Sequence, residues 1–257
     1  MRNLKKYWSV AFLCLTLGLV LAACGSSTGS DSSGDKLVVA TDATYAPMEY
    51  MDDNGNIVGI DIDIVDAIAE AAGFEVEYKN YGWEPLFAAV ENGEVDFAVS
   101  SITITDDRKE SFDFTDPYFV ANQVILVPAD SDVESFEDLK DKRVSVQINT
   151  TGHEVVKGLL GNTSSDIVAT ETMPLAITEM LNGNADASVG DNSVVLEYVK
   201  NNPDVELKTI EDDSFEKEFY GLMVQKGNSE ILDLLNEGIQ KIKEDGTLKE
   251  LTGIDIE

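Results

Sequence analysis

From Lys36 onward, short apolar runs alternate with amphipathic stretches. Leu37-Val38-Val39-Ala40 is a run without polar interruption, as expected of a strand buried on both faces. Asn54-Gly55 suits a two-residue type I′ turn joining the strand "MEYM" to "NIVGI". In "IDIVDAIAEAAGF", Ile62, Val65, Ile68 and Ala69 recur at helical spacing, and Gly73 marks a stop. "EVEYKNYG" reads as a strand, "EPLFAAVENGE" as a short helix ending near Gly93, and "VDFAVSSI" as a strand. This β-α-β-α-β order predicts a parallel sheet with helices on its faces. A second alternating set follows: strands in "QVILVPA" and "RVSVQI", a helix in "HEVVKGLLG", a strand in "IVATE", and a helix in "PLAITEMLNG". Next come the short strand "ADASVGD", the helix "NSVVLEYVKNN", a single strand "YGLMVQK" and the long amphipathic helix "SEILDLLNEGIQKIKEDG". The chain therefore reads as two α/β units, with no repeat of 20–50 residues.

The first residues have a different pattern. Arg2, Lys5 and Lys6 precede "VAFLCLTLGLVLAAC", an apolar run of signal-peptide length, too short and wrongly flanked for a mature spanning helix. Leu21-Ala22-Ala23 before Cys24 resembles a bacterial lipobox. That resemblance implies a signal peptide over residues 1–23 and Cys24 as a lipidated first residue; the alternative is an ordinary cleavage site with an incidental cysteine. "GSSTGSDSSGD", Gly25 to Asp35, has no apolar residue and reads as a flexible tether, so 24–35 form an anchor and linker. The other cysteine, Cys14, falls in the apolar run. The mature domain is thus expected to hold no disulfide, and no cysteine-based metal site is possible.

The formal charge is −31, with 49 acidic residues; without the three cations of the first 23 residues it becomes −31 − 3 = −34. Such a surface excludes nucleic acid as a partner, because phosphates need clustered Lys and Arg. It also adds a weak attraction for cationic solutes. "DDNGNIVGIDID" fails as a calcium loop, since Ile57 stands where that loop needs Gly. Asp61, Asp63 and Asp66 read instead as charges near a helix N-terminus.

Arginine is scarce: Arg2, Arg108 and Arg143 are the only three. Arg108 follows the hydroxyl-rich stretch "SSITITDD". It is either a surface cation paired with Asp106 or Asp107, or a fork for a carboxylate. Thr150-Thr151-Gly152 precedes an apolar helix; the threonines either only cap it or present free N–H groups to an anion. His153, the one histidine, reads as a helix-start surface residue.

"ATDATYAPMEY", "GIDIDI", "GWEPLFAAVENGEVDFAVSSITITDDRKESFDFTDPYF" and "VQINTTGHE" together resemble the extracellular polar amino acid-binding proteins of ABC importers, solute-binding protein family 3. The resemblance runs from about Lys36 to the C-terminus and is nearest to the branch that binds arginine, lysine and histidine. It implies a two-lobe, type II periplasmic-binding-protein-like α/β fold, the ligand lying in a cleft between lobes joined by two crossing strands. Lobe 1 would be discontinuous, 36–118 with 220–257, and lobe 2 would span 122–216. Arg108 would bind the ligand carboxylate, helped by backbone N–H groups around Ser101 and Thr103 and by Thr151. Asp191 would hold the ammonium, with the Ser101 hydroxyl. Ser100 belongs to the same ligand-binding set. Tyr45 and Trp83 would wall the side-chain pocket, and Asp42 would read the side-chain tip. Gln147 stands where some glutamine binders carry Lys, and its neutrality favours a basic ligand. The family more often has Gly at Asn149, and Asn tolerates the left-handed conformation.

The resemblance implies a monomeric, lipid-anchored receptor on the outer face of the cell membrane. It would pass a polar, basic amino acid to the permease subunits of an ABC transporter, with no cofactor and no metal. A glutamine or other polar amino acid binder is the alternative, as is a dehydratase-like enzyme on the same fold. Against an enzyme stand the lone His153, the lack of a mature thiol nucleophile and the missing G-x-S-x-G. A sensory module would need a separate signalling partner.

Overall fold

A computed structural model describes residues 36–256. The expected signal segment, Cys24 and the tether lie outside the described residues. In chain order the first half holds β1 (Leu37–Thr41), β2 (Thr44–Tyr45), β3 (Glu49–Met51), β4 (Ile57–Val58), α1 (Ile60–Ala72), β5 (Val76–Asn80), α2 (Trp83–Glu91), β6 (Phe97–Ala98), α3 (Asp106–Ser111), β7 (Phe112–Phe114), β8 (Phe119–Ala121) and β9 (Gln123–Pro128). The second half holds β10 (Val144–Gln147), α4 (Thr151–Leu160), β11 (Ile167–Thr170), α5 (Met173–Leu181), β12 (Ala187–Asp191), α6 (Asn192–Asn201), β13 (Leu207–Ile210), β14 (Glu218–Tyr220), β15 (Met223–Gln225), α7 (Ser229–Glu244) and α8 (Thr247–Thr252).

Two five-stranded sheets form the lobes of this α/β fold, ordered β5-β1-β6-β15-β7 and β11-β10-β12-β9-β13. Each keeps a parallel trio, β5-β1-β6 and β11-β10-β12, built on crossover helices. Both sheets are mixed, however: β15 and β7 join the first antiparallel, and β9 and β13 join the second antiparallel. The purely parallel expectation failed there because antiparallel partners leave no crossover-helix signature. "YGLMVQK" is two strands: β14 pairs with β8 in a separate two-stranded ribbon, and β15 enters the first sheet. Gly221 divides them, where a Cβ would meet the Ile104 side chain at 2.8 Å.

The hairpin also differs from expectation. Asp52–Asn56 form its loop, and only Gly55 is left-handed (φ 83°), so the turn is not type I′. The Asp52 carboxylate accepts the N–H groups of Asn54 and Asn56 and holds the longer loop. α1 is placed by a close approach: a Cβ on Gly59 would lie 2.2 Å from the Met48 carbonyl oxygen. The Asp61 N–H donates to that same carbonyl at 2.9 Å, and this brings the Asp61 side chain under the end of β6.

Candidate functional site

The carboxyl ends of β1, β6, β10 and β12 converge on one cavity. Ligands of open α/β sheets bind outside such strand ends. Asp42 follows β1, Ser100 and Ser101 follow β6, Gln147 ends β10, and Asp191 ends β12. Tyr45, Trp83, Thr103, Arg108, Thr150, Thr151 and Glu49 complete the lining. All ten expected ligand-site residues therefore line the same space. Glu49 and Thr150 were not among them. An acidic residue in a short strand of so acidic a chain carries no signal of burial, yet Glu49 is wholly buried.

Arg108 is half-buried and, among the described residues, forms no ion pair with Asp106 or Asp107. Thr105 caps the short helix α3 by accepting the Arg108 N–H. The guanidinium donates to the Thr103 carbonyl at 2.8 Å and to the Asn149 carbonyl at 3.4 Å, spanning the cleft. Its Cζ lies 5.3 Å from the Trp83 ring centre and 5.4 Å from Phe87, within cation–π range. Burial lowers its pKa, and the negative charges of Asp191, Glu218 and Glu154 oppose that shift.

Asp191 begins α6 without a side-chain cap bond. Its carboxylate instead accepts from Gln123 Nε2 at 2.6 Å and from the Tyr220 hydroxyl at 2.5 Å. Burial, then the neighbouring Glu218, raises its pKa to about 6. Asp42 is pushed up by burial, partly offset by bonds from Thr44 and Gln147. Gln147 Nε2 reaches Asp42 at 3.3 Å across the cleft. Asn149 adopts φ 56°, as a Gly-like position requires, and its side chain donates to Glu84 at 2.6 Å.

One expected contact is corrected. The Ser101 N–H does not point to a carboxylate site; it donates to Asp61 Oδ2 at 2.7 Å. Asp61, expected as a charge at a helix start, is wholly buried. Glu218 was also unanticipated. Its Oε2 accepts from the Thr103 and Thr151 hydroxyls at 2.7 Å each, and its Oε1 accepts from Gln123 at 3.1 Å. Gly152 is required beside this group, since a Cβ there would meet Gln123 Oε1 at 2.7 Å. His153 lies outside the lining; its Nδ1 accepts the Asn149 N–H at 3.0 Å. No helix of the described residues is long and apolar enough to cross a membrane.

Residues 37–253 match the family of bacterial extracellular solute-binding proteins, family 3. The chain belongs to that family. A probable histidine-binding protein of Neisseria gonorrhoeae is 41% identical over 251 residues, covering 95% of this chain and 92% of the relative. Among solved structures, the arginine-, lysine-, histidine-binding protein ArtJ of Geobacillus stearothermophilus is 48% identical, with a TM-score of 0.81 over 84% of this chain and 93% of that one. An ancestral arginine-binding protein bound to glutamine is 39% identical, with a TM-score of 0.78 over 84% and 95%. These relatives are binding proteins rather than enzymes.

Proposed function

We propose that this family-3 protein is a lipid-anchored receptor that closes on a basic amino acid and delivers it to an ABC transporter permease. The observation carrying the reading is the charge balance of the cavity. One guanidinium, Arg108, faces a lining that holds the carboxylates of Asp42 and Asp191. A ligand carboxylate would take Arg108, the ammonium would take Asp191, and a cationic tip would take Asp42. Once water is excluded each ligand charge needs such a partner. Tyr45 and Trp83 are the walls on which a stem or guanidinium would stack. The names of the histidine- and arginine-binding relatives support the same ligand class. In this reading one lobe comprises residues 36–118 with 220–257, and the other residues 122–216. The protein acts as a monomer.

Calorimetric titration against all twenty amino acids tests the proposal. Arginine, lysine or histidine is expected to bind more tightly than glutamine, and glutamate worst. Glutamine is the second reading, favoured by the Gln147–Asp42 bond, which already satisfies part of that carboxylate without a cation. Asp42→Asn separates the two: it should cut the preference for a cationic ligand over glutamine by about tenfold, the size of one charge-assisted contact. Unchanged preference in competition titrations would remove Asp42 from the side-chain subsite.

The anchor has its own test. Two or more acyl chains give stable membrane attachment, and Cys24 is the residue that would carry them. Cys24→Ser should move the processed protein from the membrane fraction to the medium. A processed mutant that stays with membranes would exclude Cys24 as the attachment point.

A further inference from the structure

Ser100 and Ser101 form one corner of the cavity, and beneath them lie two acids, Glu49 and Asp61, both wholly buried. The Ser100 hydroxyl donates to Glu49 Oε1 at 2.8 Å and accepts the Asp42 N–H at 3.1 Å. The Ser101 hydroxyl has Glu49 Oε2 at 3.3 Å and Asp61 Oδ2 at 3.4 Å, and its N–H is bound to Asp61. A serine hydroxyl has one hydrogen and two lone pairs. Both hydrogens are therefore spent on the acids, and the corner keeps one free lone pair at Ser100 and two at Ser101. Ser101 sits at φ 48°, a conformation that a non-glycine residue keeps only where its surroundings fix it.

Resting on the amino-acid reading above, we propose that Glu49 and Asp61 are positioning residues for the ammonium half of the site, making the Ser100–Ser101 corner a pure hydrogen-bond acceptor. The corner then attracts an ammonium and repels a carboxylate, so it helps set which way round the ligand lies.

The acids themselves can do this while buried because they need not both be charged. The groups facing them are Asp42, from the end of β1, the Tyr45 hydroxyl, facing Glu49, and the Tyr118 hydroxyl, beside Asp61. None supplies a cation. Burial, then Asp61, pushes Glu49 well above the usual carboxylate range, and burial holds Asp61 at about 6 against the bond from the Ser101 N–H. A proton on Glu49 is donated to Asp61, which remains the acceptor for Ser101, and Glu49 Oε1 still accepts from Ser100. Like charges so close cannot both ionise cheaply.

The test compares L-arginine with 5-guanidinopentanoic acid, which lacks only the α-ammonium, by calorimetry on the whole chain. Glu49→Ala frees the Ser100 hydroxyl hydrogen to turn toward the ligand, while Asp61 still accepts from Ser101. It should lower the preference for arginine over the des-amino acid by tenfold or more, changing the Kd of the des-amino acid less than threefold. Glu49→Gln imitates the protonated acid and should keep the preference within threefold. Should Glu49→Ala fail to fold, Glu49→Asp withdraws the acceptor by one methylene and should shift the preference in the same direction. Equal losses for both ligands, or an unchanged preference, overturn the positioning role while leaving the receptor intact. No binding of any basic amino acid by the unaltered protein overturns the receptor reading and this inference with it.

Discussion

Arg108→Ala should abolish measurable binding of arginine and histidine while leaving a folded protein. The guanidinium is the one cation lining the cavity, and it stands beside the Trp83 and Phe87 rings with its charge partly desolvated. Removing one partner of a desolvated charge pair costs about 2–5 kcal/mol, which is roughly 30- to several-thousand-fold in affinity. The structural loss is smaller. Two hydrogen bonds go, to the Thr103 and Asn149 carbonyls, each worth about 1 kcal/mol net. For a domain of this size that lowers Tm by several degrees. Arg143→Ala is the control: Arg143 pairs with Asp186 on the surface and should leave affinity unchanged. A folded Arg108→Ala protein that titrates like the unaltered one would remove Arg108 from the site.

Much of this arrangement was legible in the sequence because its signals are local. α1 announces itself through Ile62, Val65, Ile68 and Ala69, all buried as their spacing requires, and its end through Gly73, left-handed at φ 82°. Ten of the twelve lining residues are legible through motif resemblance, since a lone Asp42 or Thr151 in so acidic and polar a chain has nothing to mark it. Long-range features were not legible. Nothing in "YGLMVQK" says that its halves serve different sheets, because the break depends on Ile104 and Thr115 packing against Gly221. Glu49, Asp61 and Glu218 look like any other surface acids until folding brings hydroxyls and N–H groups to them. The partners of Glu49 at Ser100 and Ser101 lie 51 and 52 positions away, and the partner of Glu218 at Thr103 lies 115 positions away.

Asp191→Asn should weaken amino-acid binding by at least as much as any other change on the anionic side of the cavity. Asp191 is 6% exposed, and its hydrogen-bond partners, Gln123 and Tyr220, are neutral donors, so no cation is bonded to it until a ligand arrives. An α-ammonium would supply that cation; a neutral amide at 191 would not respond to it. The loss should fall on arginine and spare 5-guanidinopentanoic acid, and equal losses for both would contradict an ammonium role. The pH dependence gives an independent check. Burial and Glu218 hold the free Asp191 at about 6, above the ordinary carboxylate range. A raised pKa means that the ionised form is disfavoured in the free protein, and an ammonium ligand must recover it. Above pH 6 the carboxylate is already charged and affinity is flat. Below pH 6 binding must expel a proton, so arginine affinity should weaken by up to about tenfold per pH unit. Asp61, also held at about 6, and Glu49 take up protons as pH falls too, and they act on the same ammonium half of the site. Comparing the two proteins isolates Asp191: the ratio of arginine to des-amino affinity should decline more steeply below pH 6 in the unaltered protein than in Asp191→Asn. A ratio that declines equally in both proteins would place the ammonium contact on another carboxylate, with Asp42 next in line.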